Sequence, residues 1–134
     1  MLRYAVAYIV TVVVFLGLDF VWLTRVALGM YRRELGDLLL EQPNLLIAGV
    51  FYLLFCAGVV VLAIHPALNG GSWVNALLLG AVLGLVAYGT YDITNLSTLK
   101  GWSLTVSLAD LAWGTAVTAV SATAGYFAVT LLRL

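Results

Sequence analysis

Tyr91-Asp92-Ile93-Thr94-Asn95-Leu96-Ser97-Thr98-Leu99-Lys100-Gly101-Trp102 interrupts an otherwise apolar stretch of chain. It brings together a carboxylate, an amide, several hydroxyls, an ammonium and an indole. On its N-terminal side the run from Trp73 to about Leu96 is hydrophobic, and on its C-terminal side so is Ser103 to about Leu132. Each run reaches the ~20 residues that a bilayer core demands of a helix. The stretch is therefore read as the end of one membrane crossing and the turn into the next.

The same reading extends to the first half of the chain. Tyr4 to about Ala27 is a third apolar run, longer than the ~7–15 residue core of a signal peptide. Asn44 to about Ile64 is a fourth and carries no charge. Composition agrees. Of 134 residues, 64% are hydrophobic and 9% charged, against the ~25% charged residues of a soluble domain. Mean hydropathy is +1.12. The expected fold is all-α: a single transmembrane domain, residues 1–134, built as a four-helix bundle with helices at about 4–27, 44–64, 73–96 and 103–132.

Between the first two runs, Leu28 to Gln42 holds Arg32, Arg33, Glu34, Asp37 and Glu41. Tyr31, Leu35, Leu38, Leu39 and Gln42 recur at helical spacing, so this segment predicts a short amphipathic helix at the membrane interface. Arg33 and Asp37 stand at i, i+4 and can pair. Pro43 suits the start of the next helix. His65-Pro66 and Asn69-Gly70-Gly71-Ser72 predict a compact turn. His65 has no carboxylate or cysteine near it in sequence, and it is read as a bystander. Cys56, the lone cysteine, is read as a small buried apolar residue.

Small residues mark the packing faces. Gly80 and Gly84 form a GxxxG, and Gly114, Thr118, Ser121 and Gly125 form a stripe on the last helix; both allow close helix approach. Four crossings put both termini on one side. Arg25, Arg32, Arg33 and Lys100 lie on the side of the first and third connections, and Arg3 and Arg133 on the other. By the positive-inside rule the termini are expected on the non-cytoplasmic side.

Asp19, Asp92 and Asp110 are the acidic residues within the apolar runs. Counting turns along alternating helices places all three in one leaflet. An ionisable group near mid-membrane costs roughly 2.5–3.5 kcal/mol on insertion scales, so the three are expected to face the bundle interior. Asp19–Trp22 and Asp110–Trp113 share an i, i+3 spacing, as do Asp92–Asn95, with Tyr88 one turn earlier and Tyr91 adjacent. An indole N–H or carboxamide can supply hydrogen bonds that hydrocarbon cannot. Arg25 and Lys100 are expected as counter-charges. Asp19-Phe20-Val21-Trp22-Leu23-Thr24 resembles Asp92-Ile93-Thr94-Asn95-Leu96-Ser97, which suggests two parallel helix-pair repeats.

Zero net charge leaves no basic footprint for nucleic acid. No catalytic residue is assigned, because the sequence lacks HxxxH, GxSxG, a glycine-rich phosphate loop and a cysteine nucleophile motif. The sequence specifies no cofactor and offers no His/Cys metal cluster. The leading reading is binding or transport of a small molecule or cation, since intramembrane carboxylates suit cations and aromatic walls suit an organic cation or an amphiphile. Two alternatives stay open: an accessory subunit of a larger respiratory, photosynthetic or transport assembly, and a lipid-modifying membrane enzyme. The expected partners are membrane lipid and a second copy or a larger membrane complex.

The motif Tyr91-Asp92-x-Thr94-Asn95-Leu96-x-Thr98-Leu99-Lys100-x-Trp102, with Asp110-x-x-Trp113-Gly114 and Asp19-x-x-Trp22-Leu23, resembles a family of small bacterial integral membrane proteins of unknown function. The resemblance covers essentially the whole chain. It implies a bacterial inner-membrane location and carries no activity with it.

Overall fold

A computed structural model describes all residues, Met1–Leu134. It is all-helical, with four helices long and apolar enough to cross a membrane: α1 (Leu2–Leu38), α2 (Leu45–Leu68), α3 (Trp73–Thr98) and α4 (Leu104–Leu131). Its boundaries follow from local chemistry. Asn44 caps α2 by accepting from the Ile47 N–H at 3.1 Å, and Ser103 caps α4 by accepting from the Val106 N–H at 3.1 Å. Ser72 and Asn75 form a capping box at the start of α3. Such side chains satisfy the N–H groups that a helix start leaves unpaired.

Two helices depart from the sequence expectation. α1 does not stop at Ala27. Its α-geometry covers Leu2–Trp22, passes through a π-turn at Leu23–Ala27 and resumes over Leu28–Leu35. The charged segment after the first crossing is thus a continuation of the crossing helix and not a separate one. The fall in hydropathy at Leu28 marks a change of environment, and nothing there breaks a backbone. The break comes at Gly36, whose φ of 51° suits a residue without a Cβ. Leu2–Leu35 spans about 50 Å at ~1.5 Å per residue, more than a hydrocarbon core of ~30 Å. Its last turns, with exposed Arg32, Arg33 and Glu34, extend past that core. Gly36 also falls between Arg33 and Asp37, which no longer stand one turn apart on one helix.

α2 likewise continues through His65-Pro66 to Leu68, where the sequence predicted a turn. A proline ring clashes with the carbonyl four residues back and removes a hydrogen bond. Here a π-turn at Val60–Ile64 precedes it, the kind of adjustment by which membrane helices tolerate proline. The same region ties α1 to α2. Tyr4 Oη lies 2.7 Å from His65 Nδ1, and Asn69 Nδ2 donates to Tyr4 Oη at 3.1 Å. His65 is thus part of a polar clasp.

α3 and α4 form the most extensive helix pair, and α1 packs on α4. Gly80 lies against Ala119 and Ala122 of α4, and Gly84 against the Gly114 carbonyl. Gly125 lies against Thr11 and Ile64. The small residues on α3 and α4 are therefore occupied inside the chain. α2 joins the bundle unevenly. Its first half, Leu45–Val59, packs chiefly on α1, with Phe55 meeting Tyr88 of α3 and Cys56 buried with Phe15 and Val117, while the π-turn Val60–Ile64 packs closely into α3 and α4. That unequal contact leaves a space beside the first half of α2.

Candidate functional site: an intramembrane carboxylate cavity

The space is a cavity of about 670 Å³, within the ~300–1,000 Å³ of small-molecule sites. α1 contributes Asp19, Trp22 and Tyr31; α3 contributes Tyr88, Tyr91 and Asp92; α4 contributes Asp110. The first half of α2 supplies an aromatic wall of Phe51, Tyr52 and Phe55. Leu35 and Leu39, from the end of α1 and the segment after it, join Trp102 from the α3–α4 connection at the remaining side.

All three aspartates are buried, and Asp92 is 0% exposed. Their hydrogen bonding differs sharply. Asp19 Oδ1 accepts from Trp113 Nε1 at 3.1 Å. Asp110 Oδ1 accepts from the Tyr31 hydroxyl at 3.0 Å. Asp92 pairs carboxyl to carboxyl with Asp110 across the α3–α4 interface, and neither of its carboxyl oxygens receives a hydrogen bond from an N–H or hydroxyl donor. Buried polar atoms are almost always partnered, so an acidic group with both oxygens unserved stands out from the other two. No group of three or more histidine, cysteine, aspartate or glutamate side chains is arranged to hold a metal ion.

Aromatic rings surround this acidic end. Trp22 and Trp113 stack with centroids 4.8 Å apart and planes 4° apart, which fixes the indole that serves Asp19. Tyr91 and Trp102 meet edge to face at 5.7 Å. The Trp22 Nε1 and Tyr88 Oη atoms are buried without a partner. The π-turn in α1 lies between the Asp19–Trp22 pair and Tyr31. It adds a residue to one turn, as π-bulges commonly do near functional sites, and the helix then presents Tyr31 to Asp110.

Residues 4–127 match the family model described as Predicted membrane protein (DUF2177). The chain belongs to that family. No curated protein and no solved structure matches it. In this member of the DUF2177 family the cavity is the feature that bears on function.

Of the residues singled out by sequence, Asp19, Trp22, Tyr88, Tyr91, Asp92 and Asp110 line the cavity. Trp113 stands behind it, bonded to Asp19. Asn95 is half-buried and outside the lining. Arg25 and Lys100 are exposed, and the side-chain donors to Asp19 and Asp110 are Trp113 and Tyr31 instead. Sequence reasoning missed Tyr31, Tyr52 and Trp102 as site residues. Tyr31 carried one signal, its place on the apolar face of a charged segment. Tyr52 carried almost none, being one ring in a wholly apolar run.

The hydroxyls of the two aspartate motifs make the same i−4 bond as other helical hydroxyls, such as those of Thr90, Thr98, Thr115 and Thr123, so they do not bear on the internal likeness. Thr24 Oγ1 donates to the Phe20 carbonyl at 2.8 Å and Ser97 Oγ to the Ile93 carbonyl at 2.7 Å. The backbones of the two motifs differ, since α1 enters its π-turn right after Trp22 whereas α3 stays α-helical to Thr98.

Proposed function

We propose that this multi-pass membrane protein binds a small organic cation in the cavity between its helices, with Asp92 as the principal anionic contact. The observation that carries the reading is the Asp92 carboxyl: fully buried, on the cavity wall, with neither oxygen served by a protein donor. A group buried in that state lowers stability, and a ligand that supplies positive charge and N–H donors recovers the loss. Trp22, Tyr31 and Tyr88 around the same space suit a cation through their ring faces. Asp19 and Asp110 keep their own hydrogen bonds from Trp113 and Tyr31, so they border the site without depending on the ligand.

Two considerations favour binding over an accessory role. The small-residue faces are used within the chain, between α3 and α4 and against α1 and α2. The cavity, by contrast, is unfilled by the chain's own side chains. We further infer residence in a bacterial inner membrane, on the strength of the motif resemblance. The excess of arginine and lysine beside the first and third connections puts the carboxylate end towards the cytoplasm and both termini on the other face.

The test is thermal unfolding of the protein in nanodiscs of neutral lipid, with butylammonium, sodium and acetate compared at equal ionic strength. Butylammonium is expected to raise the melting temperature, and acetate to leave it unchanged. Asp92→Asn keeps the shape and removes the charge, and it should abolish the butylammonium shift. No shift with any cation, or an equal shift in Asp92→Asn, overturns the proposal.

A further inference from the structure

The shape and chemistry of the cavity narrow the ligand class. The following rests on the cation-binding reading above. We propose that the ligand is a single-chain amphiphile: a protonated amine head at Asp92, and an apolar tail leaving between α2 and α3 towards the bilayer.

The head follows from the donor balance at the acidic end. Two unpartnered carboxyl oxygens on Asp92 call for N–H donors. A primary ammonium carries three. A trimethylammonium carries none, so it gains the Coulomb attraction and the ring faces but leaves both oxygens unserved. A carboxylate or phosphate head meets three acidic groups and is repelled. A neutral alcohol offers one donor and no charge.

The tail follows from the side of the cavity between α2 and α3. Away from the aspartates the lining is hydrocarbon and aromatic. Ile47 and Phe51 on α2 are 68% and 59% exposed, and Tyr91 on α3 is 56% exposed, yet all three also line the cavity. These residues form its mouth. They sit on helices apolar enough to span a membrane, so the mouth faces lipid. The first half of α2 packs chiefly on α1 and meets α3 at the Phe55–Tyr88 ring contact, less closely than its second half does, which leaves the Ile47–Phe51 side unsealed. Leu35, Leu39 and Trp102 meanwhile wall the end nearest the polar connections. A short, fully polar cation would leave most of this lining without contact, whereas an alkyl tail covers it.

The experiment compares butylammonium, dodecylammonium, dodecyltrimethylammonium and dodecanol in nanodiscs. Binding is read by quenching or shift of the fluorescence of Trp22 and Trp102, which line the cavity. Amphiphile concentrations are expressed as mole fraction in the bilayer. Dodecylammonium is expected to bind about tenfold tighter than its trimethyl analogue, which corresponds to ~1.4 kcal/mol, and tighter still than dodecanol. Ala87→Phe and Ala48→Phe each put bulk into the mouth from opposite walls. Each should weaken dodecylammonium about tenfold and leave butylammonium within about twofold. Phe51→Ala, at an exposed position where folding is tolerant, should weaken dodecylammonium alone, about threefold.

The outcomes separate the two proposals. If butylammonium binds and the mouth variants leave dodecylammonium untouched, the tail assignment fails while the cation site stands. If dodecanol or the trimethyl compound matches dodecylammonium, the ammonium head fails. If no ammonium binds at any chain length, both fail. A second copy of the chain seated over the mouth would appear as a dimer whose dissociation exposes the site; a stable dimer that excludes dodecylammonium overturns the proposal as well.

Discussion

The two ends of this bundle use the same four helices and pack them in opposite ways. Towards the termini, helices meet through small side chains. Gly80 lies on Ala119 and Ala122, Gly125 on Thr11 and Ile64, and Ala7, Val59, Ala63 and Val129 fill what remains. Towards the α1–α2 and α3–α4 connections, large rings and acids stand at the equivalent positions, and α2 leans out to leave a cavity. In lipid there is little hydrophobic drive between helices, so close van der Waals contact through small residues supplies the cohesion. The closed end is the part that holds the protein together. The open end is free to keep an unpartnered acid.

The sharpest way to break that contrast is to prop open the closed interface. A Cβ at Gly84 would run into the carbonyl of Gly114 and the Thr118 hydroxyl, and backbone cannot rotate away as a side-chain tip can. Gly84→Leu is therefore expected to cost roughly 3 kcal/mol, the upper part of the usual overpacking range, or to prevent folding. The check is the melting temperature and monodispersity of the protein in detergent. A variant as stable as the parent would mean that the α3–α4 contact is not what holds the bundle.

At the open end the largest expected effect has the opposite sign. Asp92 is buried with no hydrogen-bond donor, so it lowers stability in the unliganded protein. Replacing buried charge with apolar volume is often stabilising by ~1–4 kcal/mol. Asp92→Leu has cavity space beside it and should raise unfolding stability by about 1 kcal/mol while abolishing the butylammonium shift. A fall in stability would instead make Asp92 a structural member of the bundle.

The sequence made the closed end easier to read than the open one, for physical reasons. Apolar runs of bilayer length and the glycine spacing on α3 are local signals, and they were enough for four helices. The aspartates were legible because charge in hydrocarbon is rare and must face inward. Tyr31 was hidden because its position depends on α1 continuing past Ala27 through a π-turn. Hydropathy reports environment and not backbone continuity, so the helix was ended too early. Tyr52 and the cavity were hidden because they depend on how far α2 leans from α3, a tertiary property with no local pattern. The counter-charge expectation for Arg25 and Lys100 used closeness in sequence, where the structure uses donors from distant helices: Trp113 for Asp19 and Tyr31 for Asp110.

Those two bonds give the next smaller effect. Trp113→Phe keeps a ring against Trp22 and deletes the N–H that serves Asp19. Hydrogen bonds between membrane helices contribute ~0.6 kcal/mol on average and up to ~1.7, and Trp113→Phe should fall in that range. Tyr31→Phe should do the same for Asp110. If either cost matched that of Gly84→Leu, the open end would be as much a structural element as the closed one.

The smallest effect is expected at Arg25 and Lys100, and it discriminates between two electrostatic pictures of the open end. If either cation neutralised a buried aspartate, removing it would strand a charge, at a cost of ~3–5 kcal/mol. Both side chains are exposed, and Asp19 and Asp110 take their side-chain hydrogen bonds from neutral donors. Exposed positions away from such networks usually shift stability by no more than ~0.5 kcal/mol. Arg25→Gln and Lys100→Gln should therefore melt like the parent and keep the butylammonium shift. A large loss in either variant would mean that the aspartates are already paired by the chain's own cations. No vacancy for a ligand's ammonium would then remain, and the contrast between a close-packed end and a ligand-seeking end would collapse.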